Sequence, residues 1–240
     1  MLFRSSLRPV EHAFSEQQRF VQDASHELKT PLTVILANLS ILKSRPAATI
    51  QEEMLWIQNT ETEARRMQEL TERLLFLAKA DSKRLSPKIE RLSLSQLTEA
   101  AALPFTALAF ERGLTLDTEP EAGISVKGDA RALTQLLAIL IDNALKYARS
   151  GSVVTVRLAR QKKHALLSVH NEGEVIPQDA LPHLFDRFYR VDKSRARAQG
   201  GYGLGLSIAK TIAHAHGGDI RVESSAEHGT CFTTTLPLSE

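Results

Sequence analysis

Cysteine is almost absent from this chain. The 240 residues contain one, Cys231, which excludes an internal disulfide framework and any zinc site built on several cysteines, and suits a reducing cytoplasm. Cys231 itself reads as a strand filler. No run of about 18 apolar residues occurs, so no segment reads as a membrane-spanning helix. Met1-Leu2-Phe3-Arg4 is too short for a secretory signal. Charge of one sign is lacking as well: 30 basic and 28 acidic side chains leave a net +2, no field that would argue for nucleic acid or a membrane surface as partner. Internal repeats and low-complexity segments are also missing. What remains is globular material, 42% hydrophobic, long enough for one or two domains with a core.

The N-terminal third is helical by its spacing. Val21, Ala24, Leu28, Leu32, Ile35, Leu39 and Leu42 recur at steps of three and four, the pattern of one apolar helix face. His26 lies two residues from both Ala24 and Leu28, about 200° around the helix from each, so it projects to solvent. Thr30 follows one turn later on the same face, with Glu27 beside the histidine. Pro31 removes a backbone N–H and crowds the Glu27 carbonyl, which predicts a bend. Ser15 and Gln18 have capping-box spacing, with helix propensity on both sides.

This helix should run to about Lys43 and stop at Ser44-Arg45-Pro46-Ala47-Ala48, where Pro46 disfavours helix at Arg45. Thr49 and Glu52 form a second capping-box pattern that opens a helix to about Ala80, with Met67, Leu70, Leu74 and Leu77 on its apolar face. Two antiparallel helices of roughly 30 residues, each about 45 Å long, make a hairpin. A hairpin with stripes this broad is covered either by the rest of its own chain or, the reading preferred here, by a second copy, giving a dimeric four-helix bundle.

Asp81 to Glu90 is polar, contains a proline and breaks the period, marking a linker. Beyond it the pattern mixes elements. A helix is expected from Ser95 to about Arg112, short strands at Leu114–Asp117 and Ile124–Val126, and a helix over 129–147 capped by Asp129. Strands follow at 153–158 and 165–169, then a helix from about Leu206 to Ala215, and strands near 219–223 and 231–236. This arrangement indicates an α+β layered sandwich.

Five short runs carry the chemistry. His26-Glu27-Leu28-Lys29-Thr30-Pro31 resembles the H-box of sensor histidine kinases, in which the histidine accepts a phosphoryl group from ATP. Leu140 to Tyr147 resembles the N-box of the same kinases and of the ATPase fold they share with Hsp90, gyrase and MutL. There Asn143 offers a neutral oxygen suited to Mg²⁺, and Lys146, on roughly the same face, meets phosphate as a point charge. Ile139 stands where many members carry a further asparagine.

Val169 to Pro177 falls where these kinases have the G1 box. Asn171 occupies the position of an aspartate that receives the adenine amino group, and Val175 that of a usual glycine, so the loop after Gly173 should differ in shape. Leu184 to Arg190 resembles the F-box, in which Phe185 and Phe188 pack and Arg190 reaches the terminal phosphates; residues 191–200 have the composition of a lid. Gly200 to Ile208 resembles the G2 box, glycines that open a helix and let backbone N–H groups approach phosphate. It is neither a dinucleotide fingerprint, since Ile208 replaces the third glycine, nor a P-loop.

The resemblance implies a linker of juxtamembrane type over 1–14, a dimerisation and histidine phosphotransfer domain over 15–80, an interdomain linker over 81–90 and a catalytic ATP-binding domain over 91–240. It implies ATP and Mg²⁺ as cofactors and a homodimer whose other partner is the receiver domain of a response regulator. His26, Glu27 and Thr30 are the expected catalytic set. The nucleotide would be held by Asn143, Lys146, Tyr147, Asn171, Gly173, Arg190, Gly201, Gly203, Leu204 and Gly205. It further implies a cytoplasmic portion of a membrane sensor, joined to the membrane only through a segment upstream of the sequence in hand. The other class of reading is a nucleotide-binding scaffold without phosphotransfer.

Overall fold

The computed structural model describes residues 2–82, 87–192 and 201–239, with side chains described for residue 15 and from residue 17 onward. The chain divides into two compact units, Met1–Ala78 and Lys79–Glu240. The first is the expected helical hairpin. α1 runs over Leu2–Ser44 and α2 over Met54–Asp81, so α1 continues through Ser15 and no helix starts there. The second capping box forms as its spacing predicts: Thr49 N–H donates to Glu52 Oε2 at 2.7 Å and Glu52 N–H to Thr49 Oγ1 at 3.3 Å. Regular helix begins two residues after Glu52.

The packed line of α1 differs from the predicted stripe. Within one chain Pro31 and Asn38 are buried and Ala24, Leu28, Ile35 and Leu42 are half-buried. Val21, Leu32 and Leu39 remain 58%, 45% and 40% exposed. A stripe wider than 100° has two edges, and only one is packed; α2 for its part buries Leu70 and Leu77. The other edge, with Leu36 at 57%, is an open apolar face.

The second unit is an α/β sandwich. Its elements are β1 Glu90–Ser93, α3 Leu94–Ala102, α4 Phe105–Glu111, β2 Thr115–Pro120, β3 Ser125–Gly128, α5 Ala130–Tyr147, β4 Val153–Gln161, β5 His164–Asn171, a 3₁₀ turn Leu181–His183, α6 Gly205–Ala215, β6 Asp219–Ser225 and β7 Gly229–Pro237. The single helix expected over 95–112 is two, because Leu103-Pro104 interrupts it; proline has no N–H to continue the ladder. Ser93 caps the first of these, accepting from Gln96 N–H at 3.3 Å.

β1, which the sequence pattern does not reveal at the junction with the linker, pairs antiparallel with β3. The main sheet has the order β2-β4-β5-β7-β6, with only the β2–β4 pair parallel. Alternation decides its two faces. Val154, Val156 and Leu158 of β4, Ala165, Leu167 and Val169 of β5, and Phe232 and Leu236 of β7 point into the core. Against them pack Leu133, Leu136, Leu137, Leu140, Ile141, Ala144 and Leu145 of α5 and Ile208, Ala209 and Ile212 of α6. The opposite face is polar and open.

α5 is fixed at its start by Asp129, which accepts from Arg131 and Ala132 N–H at 3.0 and 3.1 Å and from Lys88 N–H at 2.8 Å. The first of these donors by weight, Ala132, and then Lys88 hold its carboxyl below the usual carboxylate range. Asp129 N–H itself donates to Nε2 of the buried His216, whose Nδ1 donates to Ile212 carbonyl at 2.7 Å. That pair of bonds assigns His216 the Nδ1–H tautomer and ties the start of α5 to the end of α6.

Candidate functional site

On the hairpin, His26 is exposed, Glu27 half-buried and Thr30 exposed. The Thr30 hydroxyl reaches back to the His26 carbonyl at 3.5 Å. The inward neighbours Ala24, Leu28 and Pro31 seat this turn against the rest of the hairpin. An imidazole is thereby presented on a rigid scaffold, with a carboxylate one residue away and a hydroxyl one turn on.

In the second unit the C-terminal half of α5 forms a floor. Its inner residues Leu140, Ile141, Ala144 and Leu145 are core, and Ile139, Asp142, Asn143 and Lys146 are half-buried at its margin. At one end of the floor stands the start of α6: a Cβ built on Gly205 lies 3.3 Å from Ile139 Cγ2. At the other end stands the loop after β5: a Cβ on Gly173 would lie only 2.1 Å from the Tyr147 carbonyl oxygen. Eight helical steps lead from Ile139 to Tyr147, about 12 Å at 1.5 Å each.

The α6 end suits anions. Leu204 is the N-cap residue and fully buried, so it contributes packing and its main chain rather than a side chain. Beyond it the first N–H groups of α6 have no intrahelical acceptor and the dipole is positive. Gly203 has φ +70° and would bring a Cβ within 2.7 Å of the Phe188 backbone; only glycine fits both conditions. Phe188, itself left-handed at φ +61°, donates its N–H to Gly203 carbonyl at 2.9 Å. Gly201 is half-buried and Tyr202 buried beside it. The segments that flank the expected lid are thus bonded to each other, while residues 193–200 lie outside the described residues.

Phe185 packs edge-on to Phe232 with ring centres 6.3 Å apart and carries Lys210 Nζ 5.4 Å above its ring, a packing role as its sequence context predicts. Arg190, half-buried, follows at the end of this turn.

The other end holds a buried amide. Asn171 is 3% exposed and its side chain makes no hydrogen bond among the described residues. Arg149 N–H donates to Glu172 carbonyl at 2.7 Å, and Ala148 forms an isolated bridge with Gly173, so this loop is stitched to the end of α5. Val175 needs no left-handed backbone; among the described non-glycine residues only Lys162 and Phe188 have positive φ. The following residue is held instead by a side chain: Ile176 N–H donates to Ser224 Oγ at 3.0 Å, and Ser224 Oγ lies 2.8 Å from Thr230 Oγ1. Sequence reasoning missed this buried hydroxyl pair. Its signal was Thr230 occupying an inward position two residues before Phe232.

Along the floor, Asn143 makes no hydrogen bond among the described residues, which leaves its oxygen free as a hard neutral ligand. Lys146 is not free: its Nζ sits 2.6 Å from Asp142 Oδ2, one turn back. Tyr147 is 50% exposed at the rim. Among the described residues no cluster of three or more His, Cys, Asp or Glu could hold a metal, so a cation here needs oxygens from a ligand. A depression on the open face of the sheet, lined by Thr155, Arg157, Ser168, His170 and Cys231, is separate from this floor.

Residues 16–83 match the His Kinase A (phospho-acceptor) domain and residues 128–240 the histidine kinase-, DNA gyrase B- and HSP90-like ATPase. The chain is 39% identical over 233 residues to the sensor histidine kinase YkoH of Bacillus subtilis, covering 97% of this chain and 50% of that protein. It is 37% identical over 235 residues to the sensor histidine kinase CusS of Escherichia coli, covering 98% and 48%. The chain spans about half the length of the curated relatives it matches. Its fold is that of the Acinetobacter baumannii histidine kinase AdeS, with a TM-score of 0.71 at 21% identity over 90% of this chain and 98% of that one. The phospho-acceptor hairpin and the ATPase sandwich, joined in this order, make the chain a member of the sensor histidine kinase family.

Proposed function

We propose that the chain is the transmitter portion of a homodimeric sensor kinase, in which ATP phosphorylates His26 and the phosphoryl group then passes to an aspartate on the receiver domain of a response regulator. The observation that carries this reading is the occurrence in one chain of an exposed histidine on a helical hairpin and, in the other unit, a floor about 12 Å long. That floor ends in an anion-binding helix N-terminus and, at the other end, a buried unpaired amide.

The phosphates belong at the α6 end, against the main chain of Gly201, Gly203, Leu204 and Gly205, with Arg190 near them and the base at Asn171 and Gly173. Lys146 exchanges Asp142 for phosphate as the nucleotide enters. Mg²⁺, which neutralises phosphate charge when bound, fits the free side-chain oxygen of Asn143. The His26 ring nitrogen attacks the γ-phosphorus in line, the bond to the β-bridging oxygen breaks, ADP leaves, and Glu27 takes the ring proton. Thr30, one turn on, orients a water for the reverse activity, hydrolysis of the regulator's phosphoaspartate. The open apolar line of Val21, Leu32, Leu36 and Leu39 supports pairing with a second copy. The half of the curated relatives that lies outside the match leaves room for a sensing segment, which in this reading sits upstream and holds this portion on the cytoplasmic side of a membrane.

Incubation with γ-labelled ATP and Mg²⁺ tests the reading, alongside His26→Ala. His26 is exposed, so its removal leaves stability within about 0.5 kcal/mol of the parent. The expected result is acid-labile label on the parent and none on the variant. ATP binding without label on either would replace the kinase with a nucleotide-binding scaffold.

A further inference from the structure

The base end of the floor carries an amide whose hydrogen-bonding capacity is unused. Asn171 ends β5 with its main chain fixed from both sides, paired with Val154 of β4 and Thr230 of β7. Its amide nitrogen lies 3.2 Å from the Cβ position of Gly173, beside the loop that abuts the Tyr147 carbonyl. The nearby polar groups are occupied with one another, Ile176 N–H on Ser224 and Ser224 on Thr230. Asn171 is 3% exposed and its amide makes no hydrogen bond among the described residues, yet neither amide atom is sealed from solvent, so whatever enters the site can complete it.

An amide is two-faced where a carboxylate is not. Oδ1 accepts and Nδ2 donates, side by side. In one orientation the pair complements a purine that carries a 6-amino group beside an unprotonated N1. Turned by half a rotation about the Cβ–Cγ bond, it complements a 6-oxo group beside N1–H. Among the described residues no hydrogen bond locks either orientation. An ionised carboxylate in the same place would only accept, and would set its charge against the lone pairs of a 6-oxo oxygen.

We propose that Asn171 makes this domain tolerant at the purine 6-position, so that 6-oxopurine nucleoside triphosphates bind the site and serve as phosphoryl donors alongside ATP. The proposal rests on reading this floor as the nucleotide site. The experiment is displacement of a fluorescent ATP analogue from the whole chain by ATP, ITP, GTP and the purine riboside triphosphate that lacks a 6-substituent.

The expected result is that ATP and ITP lie within about tenfold of each other on the parent, about 1.4 kcal/mol. Asn171→Asp should then weaken ITP at least about tenfold more than ATP, because only the acceptor remains. A preference for ATP over ITP beyond about a hundredfold on the parent overturns the proposal. So does equally tight binding of the unsubstituted purine, which would mean that nothing touches the 6-position. If ATP itself fails to displace the probe, the nucleotide reading falls, a result distinct from selective loss of ITP. The parent ratio decides the matter even if a carboxylate at this buried position prevents Asn171→Asp from folding.

Discussion

Gly173→Ala is the sharpest test of how the floor is built. The added Cβ would stand 2.1 Å from the Tyr147 carbonyl oxygen, nearly 1 Å inside the closest approach real Cβ atoms make. The obstacle is main chain at the end of α5, so no side chain can rotate away. Either the loop or the helix end must move by about 1 Å, and the 2.7 Å bond from Arg149 N–H to Glu172 carbonyl would lengthen past the range of a hydrogen bond. Overpacking costs about 1–3 kcal/mol and the lost bond about 1 kcal/mol more.

Together the two terms destabilise the ATPase unit by about 2–4 kcal/mol, a fall in Tm of roughly 5–15 °C for a unit of this size. Asn171, at the end of β5, lies only two residues before Gly173, so nucleotide affinity should drop at least about tenfold. Gly151→Ala is the control. Gly151 has φ +78° with open space around it, so a side chain there carries only the left-handed backbone cost of about 1–2 kcal/mol and leaves nucleotide binding unchanged. Thermal unfolding followed by circular dichroism, with displacement of a fluorescent ATP analogue, reads both quantities. Parent-like stability and affinity in Gly173→Ala would refute the rigid contact, and equal losses of affinity in both variants would refute its link to the site.

Asp129→Ala removes the acceptor of three backbone N–H groups at the start of α5 and should cost about 1–2 kcal/mol, seen as a lower denaturant midpoint. Because the folded carboxyl titrates below its unfolded value of about 3.9, this stabilisation is present above that pH and disappears as pH falls through the folded pKa. The difference between parent and variant should therefore shrink only below about pH 4. Asn38→Leu acts in the opposite direction: Asn38 is 4% exposed and its Nδ2 has no partner among the described residues, so an apolar replacement should stabilise the hairpin by about 1 kcal/mol at fixed protein concentration. A lower Tm instead would mean that assembly of two hairpins supplies the missing acceptor. Ser224→Ala orphans the N–H of Ile176 and the hydroxyl of Thr230 and should lower Tm by an amount corresponding to about 1–3 kcal/mol; unchanged stability would mean that the pair carries no weight.

Periodicity made the hairpin legible, and local rules found two caps: Thr49 with Glu52 on the hairpin, and Asp129 at the start of α5, bond as their spacing predicts. What periodicity could not supply is which edge of a wide apolar stripe meets the neighbouring helix. Leu32 and Leu39 look as buried as Leu28 in sequence, yet Pro31 and Asn38 take the interior places. That choice depends on how one helix is rotated against the other, which no single helix encodes. β1 was hidden for a related reason: Glu90-Arg91-Leu92-Ser93 has little strand character, and its partner β3 begins more than 30 residues later.

The candidate site divides along the same line. Residue types and their order were readable, since each run is local. The contacts that assemble them were not: Gly173 on Tyr147, Gly205 on Ile139, and Ile176 on Ser224 join segments 26 to 66 positions apart in sequence. Ile139 shows what this changes. In sequence it is a gap where a polar ligand would be expected, whereas in the fold its methyl group fills the space against Gly205 and sets how closely α6 approaches α5. Replacing Ile139 by Asn would add a polar group at that contact and remove the apolar packing that positions the anion-binding end of the floor. The apolar residue at this position is therefore part of how the site is built.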